Sequence, residues 1–203
     1  MNKNTRKITT LSLLVAVTIV LQIIATFLPI KLPGGLELSF VLIPVVVAAC
    51  FYGVAGGAIV GGVFGLVVFI MGLTGATPFT TYLIFEVNWF YTVIGTVVRT
   101  TLAAVCVALV FKLVSKKFNR KISYYVASVC APVFNTCIFV IVFLTLFNHV
   151  LQDMATENGY GGNVFGYVIV AFVGLNFLLE LATTVLLAPP VCMAVEKALS
   201  RSK

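Results

Sequence analysis

Charge is what this chain has least of. Only 9% of its 203 residues are Asp, Glu, Lys or Arg, where an ordinary soluble domain carries roughly a quarter. Six residues are acidic, and there is one histidine and one tryptophan. No metal-ligand spacing, nucleophile elbow or catalytic dyad can be assembled from so few groups, so neither an enzyme nor a bound metal or cofactor is expected. The five cysteines, Cys50, Cys106, Cys130, Cys137 and Cys192, include no C-x-x-C pair and all lie in apolar stretches. They read as small buried hydrophobes. The phosphate-binding patterns G-x-G-x-x-G and G-x-x-x-x-G-K-[ST] are also missing, so nucleotide is not expected to bind here.

What fills the chain instead is apolar sequence, 61% of all residues. Such a composition suits a bilayer, and about 200 residues allow six helical spans of roughly 20 residues each. The expectation is an all-α integral membrane protein forming one six-helix domain over residues 1–203. The spans are expected at about Ile8 to Ile30, Leu38 to Tyr52, Ala55 to Leu73, Trp89 to Leu113, Tyr124 to Asn148 and Val164 to Ala188. The first is full length and ends at Pro29, unlike a signal-peptide core, and is read as a retained helix. Pro189 and Pro190 are expected to end or kink the sixth, with the remaining residues leaving as a short interfacial helix.

The net charge of +7 does not mark a nucleic-acid surface, because most of the cations fall in three separate clusters. These are Lys3, Arg6 and Lys7; Lys112, Lys116, Lys117, Arg120 and Lys121; and Lys197, Arg201 and Lys203. With six spans all three lie on one side, which the positive-inside rule makes cytoplasmic, together with both termini.

The run GVAGGAIVGGVFG places Gly53, Gly57, Gly61 and Gly65 four residues apart, a bare stripe on one helix face. Such a stripe lets backbones approach closely. It serves either packing between the second and third spans or docking of another membrane subunit. Ser12 and Ala16, also four apart, extend a smaller ridge on the first span together with Ile8 and Val20.

Ionisable groups inside spans are costly and point to function. Arg99 lies about 15 Å along the fourth span and Glu180 about 24 Å along the sixth. Asn135 and Asn176 lie at comparable depths, about 20 Å and 18 Å. Asn88, Thr92, Thr96 and Arg99 form a polar stripe, and Asn176 and Glu180 share a face. One reading is a structural Arg99–Glu180 ion pair bridged by amides. The other is a ligand site, with Arg99 on a carboxylate, Glu180 holding Arg99 or accepting a ligand hydroxyl or amide, and Asn135 and Asn176 bonding ligand amides or hydroxyls. The segment Thr74 to Tyr91 is expected as a long outer loop. Its Phe79, Tyr82, Trp89 and Tyr91 either belt the membrane interface or wall a pocket.

The ordered set ITTLSLLVAV, LSFVLIPVVVAACFYGVAGGAIVGGVFGLV, VVRTTLAAV, FNT and NFLLEL resembles the substrate-binding S component of energy-coupling factor (ECF) vitamin transporters. It is most similar to the pantothenate-type members. The resemblance implies a six-helix subunit of the bacterial cytoplasmic membrane that captures one vitamin from outside. It further implies association with a membrane scaffold (T) subunit and two cytoplasmic ATPases, which hydrolyse the ATP while this subunit topples to deliver the ligand. The helix-1 docking ridge of the family maps to Ser12 and Ala16, with serine replacing the usual alanine, and the ligand-contacting amides map by position to Asn135 and Asn176. One arginine, one glutamate and several asparagines suit pantothenate, which has one carboxylate, two hydroxyls and one amide. Riboflavin would need a broader aromatic pocket and folate more cations. A stand-alone small-solute carrier or channel is the alternative class.

Overall fold

A glycine with left-handed backbone sets the first turn of the bundle. In the computed structural model, which describes residues 3–27, 31–32, 36–37 and 40–201, Gly53 has φ 65° and ψ −152° in the middle of the helical run α2, Leu42–Leu73. That region of backbone space is open essentially to glycine alone. The residues flanking it pack back on one another: Val41 and Leu42 share a cluster with Phe64, and Val45 and Ala48 share one with Val60. A straight helix would hold Leu42 and Phe64 about 33 Å apart. The run is therefore a hairpin of two antiparallel limbs folded at Gly53.

The remaining elements follow the apolar runs. Helix α1 covers Lys3–Phe27, and a minimal antiparallel ladder pairs β1, Lys31–Leu32, with β2, Leu36–Glu37. Helical run α3 spans Pro78–Val114, α4 Arg120–Leu146 and α5 Asn148–Glu157. A short helix α6, Val164–Tyr167, passes through a π turn at Val168–Val173 into α7, Gly174–Arg201. Five helices among the described residues are long and apolar enough to cross a membrane, the folded-back α2 counting as one of them. Backbone amides and carbonyls satisfied within each helix are what a lipid environment demands.

Two expectations about boundaries are corrected. The segment Thr74 to Tyr91 is not a long loop, since helix resumes at Pro78, whose fixed φ suits a first turn. The aromatic residues there lie on helical backbone that continues to Val114. The last helix likewise does not stop at Pro189 and Pro190 but runs through both to Arg201. Pro29, where the first span was expected to end, lies outside the described residues.

The glycine stripe is occupied from within the chain. A Cβ placed on Gly57 would stand 3.0 Å from the Ala104 carbonyl oxygen, and one on Gly61 would stand 2.7 Å from both Ala104 Cβ and the Thr100 carbonyl oxygen. At Gly65 it would run into the Thr96 carbonyl, the Thr100 hydroxyl and Val97 Cα. Thr100 Oγ1 donates across this seam to the Gly61 carbonyl at 2.7 Å. Gly57, Gly61 and Gly65 are buried against α3, so within this chain the stripe packs on the expected fourth span. Gly53 makes the turn. Ser12 and Ala16 do lie exposed on α1.

Long-range bonds bring the basic clusters to one end of the bundle. Arg6 Nη2 donates to the Leu199 carbonyl at 3.0 Å, and Arg120 pairs with Glu196 at 2.9 Å. The start of α1, the start of α4 and the end of α7 thus meet. Beneath them a small-residue core holds Val46, Val47, Ala108, Ala127 and Ala188, with Tyr124 stacked between Phe51 and Phe111. The opposite half of the bundle is aromatic and contains the cavity.

Candidate functional site

Two π turns shape the cavity side of α3, at Leu83–Asn88 and Ile94–Val98. A π turn widens the ring of the helix and leaves carbonyls free for side chains, which is why such turns recur at functional sites. Side chains along this stretch of α3 bond back to carbonyls one turn earlier. Thr92 Oγ1 donates to the Asn88 carbonyl at 2.9 Å, Thr96 Oγ1 to Thr92 at 2.8 Å, and Arg99 Nε to the Gly95 carbonyl at 2.8 Å. Asn88 itself has an extended backbone, and its Oδ1 accepts from the amides of Phe90 and Tyr91, capping the renewed helix.

The cavity measures about 140 Å³ and lies between α2, α3 and α4. That is close to the volume of an engineered apolar cavity, about 150 Å³, that takes up benzene. Three phenylalanines four residues apart on α4 and its C-terminal cap, Phe139, Phe143 and Phe147, make one wall. Their ring centroids are 4.1 Å and 4.9 Å apart in succession. Phe79, from the first turn of α3, stacks on Phe143 at 6.1 Å. Thr80, Thr92, Thr96 and Arg99 supply the polar part of the lining, with Gly95 beside the Phe143 and Phe147 rings.

Arg99 is held along one edge. Besides the Gly95 carbonyl, its Nη1 donates to Asn135 Oδ1 at 3.0 Å and reaches the Asn135 carbonyl at 3.5 Å. The guanidinium carbon lies 5.4 Å from the centre of the Phe139 ring, within cation–π range. Asn135 Nδ2 in turn donates to Glu180 Oε2 at 3.5 Å. Among the described residues there is no direct Arg99–Glu180 ion pair. The amide stands between the two charges. Nη2 of Arg99 has no protein acceptor among the described residues, and the residue borders the cavity.

Of the residues the sequence singles out, Phe79, Thr92, Thr96 and Arg99 lie on the cavity wall. Asn135 and Glu180, 7% and 8% exposed, are buried behind Arg99. Tyr91 meets Phe147 edge-on at 6.3 Å from outside the wall. Tyr82 and Trp89 are 46% and 62% exposed and stand away from it. Asn176 is half-buried on α7, off the cavity. The α4 phenylalanines were not singled out, although their four-residue spacing is readable in FVIVFLTLF. No group of His, Cys, Asp or Glu among the described residues could hold a metal ion.

Five membrane-length helices among the described residues are those of a multi-pass membrane protein, and a cavity of solute size bordered by Arg99 lies within the bundle. The family described as "ECF transporter, substrate-specific component" matches residues 6–192, and the chain belongs to that family. Its members are substrate-binding subunits of transporters, not enzymes themselves, and the family implies a T subunit, ATPase partners and a small-molecule ligand. No curated protein matches the chain.

Proposed function

We propose that the chain is the high-affinity capture subunit for a water-soluble vitamin bearing one carboxylate, and that the vitamin is pantothenate. The observation that carries this reading is Arg99, a cation pinned at one edge, its Nη2 without an acceptor among the described residues, beside a largely apolar cavity. A guanidinium in low dielectric is a strong partner for a carboxylate. The buried Thr92 and Thr96 hydroxyls already donate to backbone, so their lone pairs are left to accept from ligand hydroxyl or amide groups. The phenylalanine wall suits the apolar carbons of the ligand.

In this reading each limb of α2 is one crossing, making six in the bacterial cytoplasmic membrane, and both ends of this chain face the cytoplasm. The gathering of the basic clusters at one end supports that orientation. The exposed Ser12 and Ala16 on α1 belong to the docking surface for the T subunit, and the two ATPases supply the energy. Calorimetry in detergent with a vitamin panel tests the assignment. Saturable binding of pantothenate, with none of riboflavin or folate, is expected; selective binding of another vitamin overturns the choice of ligand. Uptake by proteoliposomes containing this chain alone would instead identify a stand-alone carrier.

A further inference from the structure

We propose that Asn135 is a positioning residue for Arg99 and not a contact of the ligand. This rests on the reading above that Arg99 receives the ligand carboxylate. The family resemblance maps Asn135 to a ligand-contacting amide; the geometry assigns it a different task.

An amide presents one acceptor and one donor end, and here both are engaged by groups of fixed sense. Arginine can only donate, so it selects the oxygen of Asn135, at 3.0 Å. An ionised Glu180 can only accept, so it takes the nitrogen, at 3.5 Å. The two neighbours therefore agree on one orientation of the amide. Asn135 is 7% exposed and is not part of the cavity lining, so neither end is presented to a ligand. The Gly95 carbonyl holds Nε while Asn135 holds Nη1. Those two bonds fix the plane of the guanidinium and leave Nη2 as the end without an acceptor among the described residues. The amide also spaces Glu180 from Arg99. A direct carboxylate pair would occupy the guanidinium fork that a ligand carboxylate needs.

The test uses pantothenate and panthenol, its neutral analogue with CH2OH in place of the carboxylate, on the full chain in detergent. If Asn135 acts through Arg99, Asn135→Leu lowers pantothenate affinity about tenfold, the worth of one charge-assisted hydrogen bond. Panthenol affinity is then unchanged, which also shows that the variant is folded. Equal loss of both ligands, in Asn135→Leu and in the milder Asn135→Ser with unaltered thermal unfolding, means direct contact and overturns the proposal. A ligand-free measurement accompanies it. The chain has four arginines, Arg6, Arg99, Arg120 and Arg201, so 15N-arginine labelling resolves few side-chain signals. Rotation of the Arg99 guanidinium about Nε–Cζ is expected to be slow in the wild type and faster in either variant. Unchanged rotation overturns the positioning role whatever the ligand. Failure of the wild type to bind pantothenate while rotation still responds to Asn135 removes the choice of vitamin and retains the positioning.

Discussion

Arg99 meets Asn135, not Glu180: the guanidinium donates to the amide oxygen at 3.0 Å, and the carboxylate receives the amide nitrogen from the far side at 3.5 Å. Two buried opposite charges that paired directly would offset one another's desolvation and leave little for a third group. An intervening amide keeps the counter-charge near while the cation stays available. That separation leaves the guanidinium at the cavity wall and not sealed in an ion pair.

Arg99→Ala should lower affinity for a carboxylate-bearing ligand at least tenfold, or about 1.4 kcal/mol. Calorimetry on the detergent-solubilised variant checks this. Unchanged affinity in a folded variant would return Arg99 to a purely structural role.

Gly61→Ala and Gly62→Ala should part company. The added methyl at Gly61 stands 2.7 Å from Ala104 Cβ and from the Thr100 backbone, neither of which can yield without separating α2 from α3. A loss of about 1–3 kcal/mol is expected from such overpacking. At Gly62 the nearest atom is the Thr101 hydroxyl oxygen at 3.2 Å, the tip of a side chain, and little loss is expected. Thermal unfolding of the pair in one detergent decides; equal melting would mean that the seam is looser than its geometry.

Gly53→Ala tests the hairpin. No atom lies within 4 Å of the added Cβ, so any cost comes from backbone alone at φ 65°. About 1–3 kcal/mol of destabilisation is expected, read as a lower melting temperature or reduced yield of folded protein.

Phe143→Ala should both destabilise and weaken binding. Phe143 is 6% exposed and contacts Phe79, Phe139 and Phe147 through its ring. Removing a buried phenyl group costs about 3–5 kcal/mol where the site cannot collapse. Phe143→Leu retains more of the fold, and with it a fall in ligand affinity separates wall from scaffold.

Ala16→Leu should leave ligand binding unaltered, because Ala16 is exposed on α1 and remote in the fold from the cavity lining. Co-purification with the T subunit and ATPases should fall. Intact assembly would place the docking surface elsewhere.

The sequence by itself determined the solvent, the class and the end that carries charge. Near-absence of ionisable residues and long apolar runs are local properties, and they dictate membrane helices however the helices are arranged. The cationic clusters gather at one end because an even number of apolar runs separates each from the next. The four-residue glycine spacing likewise requires a close helix contact, and an arginine in an apolar run requires a partner. Tertiary structure decided who those partners are. Gly57, Gly61 and Gly65 meet Thr96 to Ala104 of α3, a choice that periodicity along a single helix cannot express. Arg99 found Asn135 ahead of Glu180 because π turns rotate the register of α3, and fixed 3.6-residue spacing does not anticipate that shift. The same turns, with helix resuming at Pro78, carried Phe79 to the wall while Trp89 and Tyr82 turned outward. Spacing along a chain specifies which residues share a face; only packing between distant segments specifies what that face meets.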